Sequence, residues 1–87
     1  MKNNRYGEIV KQLVSYIVDS LVDEPEMVQI YEEEKGNRVH LDLRVAKNDM
    51  GRVIGKGGRV ANSIRTLLRV AAAREGKQVT LDVLEPK

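Results

Sequence analysis

Along the first quarter of the chain, apolar residues recur at steps of three and four. Tyr6, Ile9, Val10, Leu13, Ile17 and Leu21 fall at helical spacing. This predicts one amphipathic helix from about Asn4 to Val22, ended by Pro25 in the run Asp23-Glu24-Pro25-Glu26. The period then changes to two. Residues 27–32 and 38–45 read as strands of a hairpin joined through Lys35-Gly36-Asn37. In the second strand Val39, Leu41, Leu43 and Val45 alternate with His40, Asp42 and Arg44, so one face is core and His40 belongs to the polar face.

The helical period returns at residue 49. Asn48 or Asp49 can cap a short helix over 49–54, Gly55 to Gly58 break it, and a second helix follows over 59–74. In that longer helix Val60, Ile64, Leu67, Leu68 and Ala71 form the apolar stripe, while Arg59, Asn62, Arg65, Thr66 and Arg69 point largely away from it. Gly76 stands where a left-handed helix cap is common, and 78–84 turns Val79, Leu81 and Val83 inward as a last strand. The order α-β-β-α-α-β predicts an α+β fold with a three-stranded sheet and three helices packed on one face. No repeat, low-complexity tract or linker interrupts it, so residues 1–87 read as a single domain whose two ends alone are expected to fray.

Composition narrows the function. Cysteine is absent and His40 is the only histidine, so disulfides and thiolate metal sites are excluded and no metal or other cofactor is expected. The longest purely apolar stretch, Val70-Ala71-Ala72-Ala73, is far short of the roughly 20 residues that cross a bilayer, and the N-terminus lacks a signal-peptide core. A soluble, cytoplasmic chain with no membrane partner is expected. The net charge of +2 hides a division: residues 1–43 carry −4 and residues 44–87 carry +6. Between Arg44 and Arg69 seven cations, Lys56 and Arg59 among them, are opposed only by Asp49, which predicts a positive field around the glycines. The acidic run Glu32-Glu33-Glu34 reads as a solvated strand end.

The glycine run Gly55-Lys56-Gly57-Gly58 is where a polyanion can approach the main chain, because glycine carries no Cβ and the helix that follows presents unpaired N–H groups. Two other glycine motifs fail at named positions. A Walker-type phosphate loop needs glycine where Met50 stands and Ser or Thr where Gly57 stands. A dinucleotide fingerprint needs a third glycine where Val60 stands. No nucleophile-base-orienter set emerges, so neither an enzyme nor a small-molecule substrate is expected. With no Phe or Trp, and Tyr6, Tyr16 and Tyr31 all before the loop, the basic half has no aromatic platform on which to stack bases.

A strand, Ile-Gly-x-x-Gly between two helices, and a strand together resemble the KH nucleic-acid-binding domain, whose loop clamps four backbone nucleotides. Because the additional helix and strand come first, the arrangement resembles the type II variety. Leu21-Val22-Asp23-Glu24-Pro25, the run from Asp49 to Arg59, and Ile64-Arg65-Thr66 are similar to the small stand-alone KhpA family. The resemblance implies a single-stranded RNA-binding protein of the bacterial cytoplasm. It also implies an RNA chaperone or post-transcriptional regulator linked to cell elongation, division, shape and wall biogenesis, and pairing with itself as a homodimer or with a larger KH-containing protein.

Carried over residue by residue, the RNA-binding set is Gly51, Arg52, Val53, Ile54, Gly55, Lys56, Gly57, Gly58, Arg59 and Asn62. Phosphates would be held by the amides of residues 56 to 59, bases would be gripped by aliphatic side chains, and one of Val53 and Ile54 is expected to face the groove. Many KH loops carry a side chain where Gly57 stands. The competing reading is a protein-interaction module that uses the KH groove for homo- or hetero-dimerisation.

Overall fold

The register between strands decides which residues meet the helices. β1 (Gln29–Lys35) pairs antiparallel with β2 (Arg38–Arg44), aligning Ile30 with Leu43 and Glu34 with Val39. β2 pairs parallel with β3 (Gln78–Val83), aligning Val39 with Val79 and Leu41 with Leu81. The sheet order is β1-β2-β3, and the parallel joint requires a long crossover. That crossover is α2 (Met50–Ile54) and α3 (Arg59–Arg74), with the glycine run between them. Together with α1 (Tyr6–Leu21), this computed structural model describes residues 5–86 and is an α+β fold of the KH type. The predicted helix start at Asn4 lies outside the described residues.

α1 packs on β1 and β2, α3 packs on β3, and α2 sits against α3. Ile30, Val39, Leu41, Leu43, Val79 and Leu81 all turn to the helices, and Leu41 and Leu43 lose all solvent contact. Burying such side chains fully stabilises by roughly 1.5–3 kcal/mol each. Two stripes differ from the expectation. On α1 the buried positions are Val10, Val14 and Val18, whereas Ile9, Leu13 and Leu21 remain exposed. On α3 they are Ala61, Ile64, Leu68 and Ala72, with Leu67 and Ala71 outside. Both helices satisfy the helical period on more than one line, and the position of the sheet selects between lines.

The first strand is displaced from residues 27–32 to Gln29–Lys35 because Pro25 opens a single 3-10 turn over Pro25–Met27. Its longer course also corrects the reading of the acidic run. Glu32 and Glu34 occupy the helix-facing side of β1, not solvent. The Gly7 main-chain N–H donates to Glu34 Oε1 at 2.9 Å, and Arg5 donates to Glu32 Oε1 at 3.1 Å. The two carboxylates thus meet the first turn of α1, where free N–H groups and the helix dipole favour negative charge. A Cβ on Gly7 would stand 2.6 Å from Glu32 Oε2, so the close approach depends on glycine there. On the opposite face, as predicted, lies His40, which meets Thr80 Oγ1 at 2.6 Å through Nδ1 and Asp42 at 2.9 Å through Nε2.

α3 ends in a Schellman arrangement: Lys77 N–H donates to the Ala72 carbonyl and Gly76 N–H to the Ala73 carbonyl. No helix of the described residues is long and apolar enough to cross a membrane.

Candidate nucleic-acid interface

The site is built where α2 stops. Gly55 N–H closes α2 on the Gly51 carbonyl at 2.8 Å, and Gly55 then takes φ 78° and ψ 169°, a combination open essentially to glycine alone. Space demands glycine there too, since a Cβ would stand 2.5 Å from Val60 Cγ2 and 2.7 Å from Val60 N. The chain therefore doubles back on the start of α3, and residues Lys56–Gly58 form one 3-10 turn at the tip.

Within that turn the four amides are not equivalent. Gly58 N–H donates to the Gly55 carbonyl at 3.1 Å, and Arg59 N–H donates to the Lys56 carbonyl. The N–H groups of Lys56 and Gly57 have no acceptor among the described residues, and both residues are exposed. The donors open to a ligand are thus two, not the run from 56 to 59, because the tight turn satisfies its own second half.

The cations divide in the same way. Lys56 and Arg59 make no ion pair among the described residues, whereas Arg52 donates to Asp49 Oδ1 and lies against Asp23 Oδ2, both at 3.0 Å. Arg52 is therefore anchored to the protein and its charge is partly answered. Val53 is wholly buried in the core, which removes it from the expected RNA-contacting set; its role is to fix α2. Ile54 remains half-buried and is the one of the pair with surface to offer. Gly51 is exposed, with nothing within 4 Å of where its Cβ would stand. Gly58 and Asn62 face each other: Asn62 Nδ2 lies 3.6 Å from the Cβ position of Gly58.

Asp49 holds the loop's base in place. The sequence offered Asp49 as a cap of α2, but its side chain makes no cap bond there; it accepts the N–H of Asp23 at 2.9 Å and of Glu24 at 3.0 Å, reaching back to the end of α1. The Asp23 N–H does most to push the Asp49 pKa below the ordinary carboxylate value; burial opposes it, and the Glu24 N–H and Arg52 reinforce it. Arg65, read from the sequence as pointing away from the apolar stripe, is engaged by the protein: it donates through Nε to the Leu81 carbonyl at 2.8 Å and through Nη1 to Asn62 Oδ1 at 2.9 Å. Neither role has a local sequence signal, because each depends on a partner brought from another element.

Among the described residues, two amides without acceptors and two cations without ion pairs thus share a glycine turn between helices, an arrangement that can meet an anion such as phosphate. The KH-domain profile described as KhpA/KhpB matches residues 11–83, a span that includes the whole loop and the sheet. The chain belongs to the KhpA/KhpB KH-domain family. Among the relatives of this KhpA/KhpB chain, the RNA-binding protein KhpA of Clostridium acetobutylicum is 45% identical over 75 residues, covering 86% of this chain and 100% of the relative. The RNA-binding protein KhpA of Chlamydia trachomatis is 42% identical over 78 residues, covering 90% and 100%. Among solved structures, a variant of Aquifex aeolicus Era bound to GDP and aluminium fluoride superposes with a TM-score of 0.66 at 17% identity. It covers 99% of this chain but 34% of the other, a likeness of fold alone. Every residue of the loop, from Gly51 to Asn62, lies inside the KhpA/KhpB match.

Proposed function

We propose that the chain binds single-stranded RNA in the bacterial cytoplasm, with about four nucleotides crossing the glycine turn. Lys56 and Gly57 donate their main-chain N–H groups to phosphate oxygens, and the side chains of Lys56 and Arg59 supply charge. Ile54 offers aliphatic surface to a base. The observation that carries the reading is the pair of exposed residues Lys56 and Gly57, whose amides have no acceptor among the described residues, beside the cations of Lys56 and Arg59, which have no ion-pair partner among them. The names of the relatives support RNA as the ligand. The resemblance to KhpA extends the proposal to an RNA chaperone or post-transcriptional regulator serving cell elongation and division.

The test is direct binding of a labelled, randomised single-stranded RNA pool. Wild type should bind with log K falling against log salt at a slope of about −2, the value for about three neutralised phosphates on a single strand. The double variant Lys56→Asp, Gly57→Asp should lose binding while keeping its helical circular dichroism, since position 57 is open and its left-handed φ of 66° is one that aspartate can adopt at a small cost. A folded double variant that retained wild-type affinity would refute the loop assignment.

A second reading draws on a different observation. Ile9, Leu67 and Val70 are all about half exposed and share one shallow trough between α1 and α3 with Tyr6 and Ala71. We propose this face for self-association or for pairing with a larger KH-containing protein, in addition to RNA binding.

A further inference from the structure

The tight turn leaves the second half of the loop without main-chain donors, and a side chain stands where they are missing. We propose that Arg65 is a positioning residue for RNA binding: it fixes the Asn62 amide so that its NH2 group donates to a phosphate lying over Gly58. This rests on the RNA reading above and deepens it.

The chemistry allows only one orientation. A guanidinium carries donors and no acceptor, so the Asn62 atom that meets Arg65 Nη1 at 2.9 Å must be the carbonyl Oδ1. The NH2 end then faces the opposite way, toward Gly58. Arg65 is itself held, because β3 is the edge of the sheet and its Leu81 carbonyl accepts Nε at 2.8 Å. The planar fork of the guanidinium makes both bonds at once, one to the strand and one to the residue a turn back on α3. Since Gly58 has no side chain, nothing on that residue intercepts the Asn62 donor. Lys56 and Gly57 therefore serve one side of the turn with main-chain N–H groups, and Asn62 serves the other.

Lysine keeps the charge but cannot bridge Leu81 and Asn62 with fixed geometry, so substitution at Arg65 separates positioning from electrostatics. With the randomised RNA pool as probe, Asn62→Ala should weaken binding roughly tenfold, the range for one hydrogen bond to a charged group. Arg65→Lys should weaken it several-fold in the wild-type background and leave it unchanged in the Asn62→Ala background. Arg65→Met should lose affinity with the salt slope preserved, whereas an arginine that touched phosphate would flatten the slope by about 0.7. Circular dichroism checks folding, and if Arg65→Met does not fold, the Arg65→Lys cycle decides. Additive losses in that cycle, or full affinity in Arg65→Lys, would overturn the inference while leaving RNA binding by the loop intact. Failure of wild type itself to bind the pool would instead overturn the functional reading, and this inference with it.

Discussion

The buried carboxylate of Asp49 accepts the main-chain N–H of Asp23 at 2.9 Å, joining the corner after α1 to the residue from which α2 departs. Glu24 N–H adds a second bond at 3.0 Å, and Arg52 closes the arrangement by contacting both Asp49 and Asp23. α2 is only five residues long and could not hold its direction by itself. The carboxylate gives it an external anchor, and through it the Gly55 turn is aimed. An arginine that the sequence places among RNA contacts thus stabilises the platform on which the loop stands.

Asp49→Asn is therefore expected to lower the melting temperature by several degrees, because an amide places an NH2 donor where only acceptors are wanted. The pH dependence has a definite sign. Since the folded pKa lies below the unfolded one, the stabilisation is complete above the ordinary carboxylate value and is lost as pH falls through the lowered folded value. Urea unfolding across that acid range should show wild type converging on Asp49→Asn as the pH falls. A gap between them that stayed constant through that range would show that the Asp49 charge contributes nothing.

Gly55 and Gly57 of the turn should respond differently to substitution. Gly55→Ala meets Val60 at 2.5 Å and forces a glycine-only conformation, a strain of about 1–3 kcal/mol before the clash is counted. Gly57, with φ 66° and ψ 20°, lies in the left-handed region that asparagine tolerates, and its surroundings are open. Gly57→Asn should keep the melting temperature within a few degrees and retain RNA binding. Thermal unfolding of the two variants side by side measures the difference, and equal destabilisation would contradict the assigned backbone.

How much of this was legible in the sequence depends on how far away each partner lies. β2 and β3 were readable because strict alternation at Val39-Leu41-Leu43 and Val79-Leu81 has a single solution. The loop was readable because excluding two other glycine motifs needs only neighbouring residues. The stripe on α1 was not. Val10, Val14 and Val18 compete with Ile9 and Leu13 at equally good helical spacing, and only the sheet decides between them. Glu32 and Glu34 read as solvated because the element that binds them, the start of α1, lies 27 residues earlier for each contact. The same holds for the bonds from Asp23 and Glu24 to Asp49 and from Arg65 to Leu81, which join distant elements.

The trough between α1 and α3 supplies a test of association. Leu67, 62% exposed on α3, is neither among the side chains of the core nor among those packed against it. Leu67→Asp should leave unfolding unchanged within about 0.5 kcal/mol, as for surface substitutions remote from packing. If the face joins copies of the chain, light scattering should show a lower molar mass for the variant than for wild type. An unchanged mass with wild type self-associated would assign that interface elsewhere.

Gly51 separates stability from binding most cleanly. It is the second residue of α2, exposed, with open space around its Cβ position and no positive φ. Nothing in the fold asks for glycine there, and alanine should raise stability by roughly 0.5–1 kcal/mol through helix propensity and a less disordered unfolded state. The remaining reason for glycine is what comes near it from outside: a methyl group at residue 51 would stand on the wall before the turn, where an RNA backbone would pass. Gly51→Ala is expected to melt higher and bind the RNA pool more weakly. A variant that gained stability with undiminished affinity would move the RNA path off α2 and leave only the Lys56, Gly57 and Asn62 side of the turn as its seat.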